Sequence, residues 1–240
     1  MSMNPRLLRP LASGFNPRSI SGLALWLDAS NTGSLFQDTS AATPATVSPN
    51  PIGHWKDLSG NGKNATQGTA NDRPIISAST RNGRRVIEFD GLGDHFSFTS
   101  TSFQTVFGVC FVKSDTVGGR VLNSLIGSTA NDIRRDGVSP TTAWRGLGAE
   151  TNSGDFTNPA GSQFRVNGNS TSIVAEQVWH LVTAIRGTGT AAMEKIGQTV
   201  GFREFGGQMA EIICYDRALT TAERDRVERA LGQKWGLTIG

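Results

Sequence analysis

The stretch Gln208-Met209-Ala210-Glu211-Ile212-Ile213-Cys214-Tyr215-Asp216-Arg217-Ala218-Leu219-Thr220 runs directly into a helix and sets the fold. Through Tyr215 it is an apolar run of strand length. Thr220 and Glu223 then form a capping-box pattern, in which each side chain satisfies a free backbone N–H of the other. Val227, Leu231 and Trp235 recur four apart with Ala230 beside them, which makes one apolar stripe. Asp225 and Arg229 stand at pair-forming spacing on the exposed side. Gly236 offers a left-handed stop, and Leu237 can fold back on the last turn. The reading is a buried strand followed by one amphipathic helix that covers apolar surface at the edge of a β-structure.

Upstream of this stretch, strand-like runs recur at Leu23 to Leu27, Arg84 to Phe89, His95 to Thr99, Phe103 to Val112 and Val121 to Ile126. Others are Gln163 to Val166, Val178 to Ile185 and Ala192 to Ile196. Clusters such as Ser59-Gly60-Asn61-Gly62 and Asn167-Gly168-Asn169 supply the positive φ values that tight turns need. Residues 31–51, rich in Thr, Ser, Ala and Pro, read as a long surface loop. Short strands without interleaved helices indicate an all-β, antiparallel β-sandwich closed by one C-terminal α-helix. The 29 glycines and 12 phenylalanines agree with many tight turns around an aromatic core.

Residues 1–20 read as an extended arm, and residues 21–240 as the sandwich domain. In the arm Pro5, Pro10 and Pro17 separate the apolar anchors Leu7, Leu8, Leu11 and Phe15. Arg6, Arg9 and Arg18 account for the whole formal charge of +3; the rest of the chain carries 20 basic and 20 acidic residues. A neutral body excludes the basic signature of nucleic-acid binding. No window reaches the roughly 18 apolar residues of a membrane span, and no apolar stretch of signal-peptide kind follows the N-terminal arginines. Cys110 and Cys214 lie in apolar runs and read as buried free thiols.

The ordered motifs Trp26-Leu27-Asp28-Ala29, Trp55-Lys56-Asp57-Leu58-Ser59-Gly60-Asn61-Gly62, Phe89-Asp90-Gly91 and Trp179-His180-Leu181-Val182 carry a resemblance. With Met209 to Thr220 and Lys234-Trp235-Gly236-Leu237, they resemble bacterial and phage laminin-G-like, concanavalin A-like jelly-roll domains. The likeness covers about residues 22–238, with 115–175 unmatched. It implies a virion structural protein of a tailed bacteriophage, in a capsid decoration, neck or tail appendage. Its partners would be other capsid or tail proteins, with a homo-oligomer and host polysaccharide as further candidates. A carbohydrate-binding module is the alternative, and a glycan hydrolase a distant one.

For glycans, Trp55 and Trp144 are the candidate stacking platforms. For calcium, the one cofactor considered, Asp57 and Asn61 in a glycine-rich turn, with Asp94 and Asp216, are the candidate oxygen donors. Glu88 and Asp90 alternate onto one face of a strand, roughly 7 Å apart, as paired catalytic carboxylates would. The third acid of the glucanase pattern is replaced by Leu92, so a structural role is the expectation and no enzyme is assigned. His54, His95 and His180 have no metal-ligand spacing.

Overall fold

The computed structural model describes residues 14–113, 120–128, 131–138, 141–150, 156–157, 160–174, 177–199 and 203–240. It is an antiparallel β-sandwich with one C-terminal helix. One sheet has seven strands, in the order Gln163–Val166, Trp179–Ile185, Thr105–Val112, Gly206–Tyr215, Arg84–Asp90 and Ile75–Arg81, with Leu23–Asp28 also on Gly206–Tyr215. The ten-stranded sheet facing it is built around Arg120–Gly127, Asn131–Val138, Thr141–Glu150, Ala191–Ile196 and Phe96–Phe103.

Gly206–Tyr215 is the central strand, and it has two partners along one edge. Residues 206–209 pair with Arg84–Asp90, and residues 211–215 pair with Leu23–Asp28. A bulge between Met209 and Glu211 marks the change, and it alters which face each residue meets. Met209, Ile212 and Cys214 join the core between the sheets, whereas Ala210, Ile213 and Tyr215 join a second apolar layer on the outer face. Being buried on both faces, this strand and Thr105–Val112 are continuous apolar runs rather than alternating ones.

The second layer is covered by the helix Thr221–Trp235, which therefore lies on the outer face of the seven-stranded sheet and not at a sheet edge. Thr220 and Glu223 make the expected capping box, and Gly236 adopts φ 64°, ψ 45° at the C-terminal stop. Val227, Leu231 and Trp235 are buried as expected. The expected Asp225–Arg229 pair does not form; Asp225 pairs with Arg224 at 3.2 Å, and Arg229 lines a groove beside the helix. Glu228 is also buried under the helix, where it accepts from Arg165 and Thr183.

The described part of the expected arm lies on the sandwich. Pro17 and Ile20 are buried, Phe15 packs on the outer apolar layer, and Tyr215 Oη donates to Pro17 O at 3.1 Å. Arg18 Nε reaches Leu58 O at 2.9 Å. Arg6, Leu7, Leu8, Arg9 and Leu11 lie outside the described residues. The expected loop 31–51 contributes the short strand Leu35–Phe36 and the buried Leu35 and Ala45. Cys110 and Cys214 are free and buried. On neighbouring strands Cys110 stands opposite Met209 and Cys214 opposite Val106, so they are about 13 Å apart at strand spacing, beyond disulfide reach.

Candidate functional site

A groove of about 750 Å³ opens between the helix, residues 14–17 and the strand Leu23–Asp28. That volume falls within the range of small-ligand sites. Leu25 and Leu27 point into the core, so strand alternation turns Trp26 and Asp28 outward to the groove. Phe15 forms the opposite apolar wall. From the helix, Arg226, Arg229, Gln233 and Lys234 face the same space at helical spacing.

Asp28 and Glu211 stand directly opposite each other on paired strands. Two like charges there repel unless something bridges them. Lys234 is the bridge: its Nζ donates to Asp28 Oδ2 at 2.7 Å and to Glu211 Oε2 at 2.6 Å. Glu211 also accepts from Trp26 Nε1 at 2.8 Å and Trp235 Nε1 at 2.7 Å. Ser30 N and Oγ fill Asp28 Oδ1. Burial, reinforced by the Asp28 charge, pushes the Glu211 carboxyl above its ordinary value, against the opposing pull of Lys234. Both carboxylates are thus occupied by protein donors.

The hairpin joining Ile75–Arg81 to Arg84–Asp90 closes the helix end of the groove. Arg81 Nε donates to Trp235 O, and Asn82 Nδ2 and Arg84 Nε both donate to Lys234 O. These side chains satisfy terminal carbonyls that the helix cannot pair itself, and the two cations complement its dipole.

Trp55 and Trp144 do not serve as sugar platforms. Their exposures are 0% and 1%, and both belong to the inter-sheet core, Trp55 with its ring 6.0 Å from that of Phe96. A ring without accessible faces cannot stack on a ligand. Trp26, which sequence reasoning read as a strand residue and part of the resemblance but not as a site residue, is the groove's part-exposed tryptophan; its outward phase between Leu25 and Leu27 was the available signal.

The calcium candidates have other tasks. Asp57 accepts from Trp26 N, Ser59 N, Ser59 Oγ and Lys63 N at 2.7–3.1 Å, which fills its roughly four lone-pair positions. Gly60 and Gly62, with φ of 97° and 68°, give this loop its left-handed turns. Asn61 turns its amide NH₂ onto Leu23 O and Ala24 O. Asp94 Oδ2 accepts from Asp90 N, and Asp216 is exposed at a strand end. Among the described residues no three His, Cys, Asp or Glu side chains gather as a metal site.

Glu88 and Asp90 do share the outer face. Glu88 is ion-paired with Lys113 at 2.8 Å and accepts from Ser77, and these partners lower its pKa. Asp90 Oδ1 accepts from Leu92 N within the following turn. His54 and His95 hydrogen-bond locally to Thr39 O and Gly93 O, and His180 is buried.

No protein-family model and no curated protein sequence matches the chain. Among solved structures, Trypanosoma rangeli sialidase is 16% identical, with a TM-score of 0.48 over 91% of this chain and 34% of that one. The chain thus spans about a third of the sialidase. Domain 4 of AbnA, a GH43 extracellular arabinanase from Geobacillus stearothermophilus, in complex with arabinotriose, is 12% identical. Its TM-score is 0.43, over 86% of this chain and 98% of that one. Likeness at this level carries no residue roles across.

Proposed function

We propose that this chain is a non-catalytic binding module of a tailed-phage virion. In this reading the sandwich presents the helix-side groove to a ligand, and the segment before Gly14 attaches it to capsid or tail proteins. The observation that carries the binding role is the groove itself, in which aromatic walls and cationic side chains surround carboxylates already held by protein donors. Such a surface holds a ligand without offering a free acid and base. At Glu88 the pKa is lowered, opposite to the raised value that a general acid needs. The virion setting is supported by the ordered sequence motifs and by the Arg6, Leu7, Leu8, Arg9 and Leu11 anchors.

Cryo-imaging of particles made with and without this chain tests the setting. Density that disappears with the chain supports it, and unchanged density rejects it. Incubating the purified protein with envelope polysaccharides tests the non-catalytic role; release of new reducing ends would overturn it.

A further inference from the structure

We infer that the helix-side groove selects a carboxylate-bearing saccharide, an inference that rests on reading this groove as the ligand site. Four cations, Arg84, Arg226, Arg229 and Lys234, line it against two carboxylates, Asp28 and Glu211. The carboxylates lie at the floor, 6% and 2% exposed, and share Lys234. Arg84, Arg226 and Arg229 are exposed. Among the described residues Arg229 has no ion-pair partner, and Arg226 packs its guanidinium 5.3 Å from the centroid of Phe15 without one. The accessible part of the groove is therefore positive, and a planar guanidinium fork matches a carboxylate in geometry as well as charge.

The walls decide the rest of the ligand. Trp26 is part-exposed and offers aromatic surface to a ring with apolar C–H faces, Phe15 under Arg226 adds apolar wall, and Gln233 offers hydrogen bonds to hydroxyls. A nucleic-acid strand would need a longer basic track than this neutral body provides. The chain's own first 13 residues carry Arg6 and Arg9 and no acid, so like charge at the groove mouth disfavours them as occupant. A saccharide with a carboxylate on the ring satisfies both the cations and the aromatic walls.

Calorimetric titration of the full chain with tri-galacturonate and with the neutral galactose trisaccharide tests this. The acidic sugar is expected to bind about tenfold more tightly or better, and to weaken as salt rises from about 50 to about 500 mM. Arg226→Gln with Arg229→Gln, both exposed and outside the core, should remove that preference while the melting temperature holds. Equal binding of the two sugars overturns the anionic selection but leaves the groove reading standing. No binding of either sugar, or binding unaltered in the double variant, overturns the groove as their site. Equal competition by hexaglutamate or by inorganic phosphate overturns the saccharide class.

Discussion

Trp235 Nε1 donates to Glu211 Oε2 at 2.7 Å, which fastens the last turn of the helix to the central strand beside the apolar layer under the helix. Glu211→Ala would leave the Trp26 and Trp235 indole N–H groups without their acceptor, although Lys234 would keep Asp28. Loss of one member of a buried charged network costs about 3–5 kcal/mol. Glu211→Gln should cost less, since one acceptor oxygen remains. Urea unfolding of the two variants checks the order; equal and negligible losses would mean that the network does not hold the helix.

Leu231 lies 3% exposed beneath the helix, in the apolar layer that includes Phe107 and Leu181. Leu231→Ala should cost about 2–5 kcal/mol through lost transfer energy and the cavity left behind. An unchanged denaturation midpoint would mean that the helix is not packed on the sheet.

The firmest sequence inferences came from elements whose signals are local. The capping box at Thr220 and Glu223 and the stripe Val227, Leu231, Trp235 need only neighbours within four residues, and they formed as read. The strands Asn131–Val138 and Thr141–Glu150 were missed because their sequences set apolar residues such as Ile133 and Trp144, both buried, among many polar ones without a clear alternation. The groove was hidden for another reason. Trp26, Asp28, Glu211 and Lys234 are far apart in sequence, and only the pairing of Leu23–Asp28 with the central strand brings them together. Arg229 was read as an exposed partner of Asp225 because spacing alone cannot reveal which neighbour an exposed arginine turns toward.

Asp57 organises its loop with four accepted hydrogen bonds, so it has no oxygen lone pair to spare for an ion. Adding EDTA should therefore leave the melting temperature unchanged. Asp57→Ala should cost about 3 kcal/mol, because it strands part-buried N–H groups at Trp26, Ser59 and Lys63. A melting temperature that falls with EDTA and recovers with calcium would restore metal binding to this loop.

Asp94 is buried, and its pKa is raised to about 6, first by desolvation and then by the Asp90, Asp72 and Glu204 charges, while the Asp90 N–H opposes the shift. A carboxyl raised above its unfolded value contributes stability that is complete below that value and lost as pH rises through the folded one. Asp94 should thus make the protein lose stability between about pH 4 and pH 6. Asp94→Asn removes this titration and should flatten the profile in that window. Parallel profiles for the two proteins would exclude Asp94 as the source.

The N-terminal segment gives the test in which fold and assembly separate. Residues 14–20 are built into the sandwich: Ile20 is 4% exposed, Pro17 is buried, and Tyr215 Oη donates to Pro17 O. Phe15 also forms one wall of the groove, beneath Arg226. Deleting residues 1–20 should therefore destabilise the domain, and Ile20→Ala alone should cost about 2–5 kcal/mol. Deleting only residues 1–13 keeps every one of these contacts and should leave the melting temperature unchanged. If Leu7, Leu8 and Leu11 anchor the chain to a particle, the shorter deletion should abolish incorporation while the domain stays folded, and high salt should weaken any share due to Arg6 and Arg9. Unimpaired incorporation after the shorter deletion would remove the anchoring role. A large fall in melting temperature after it would assign residues 1–13 to the fold instead.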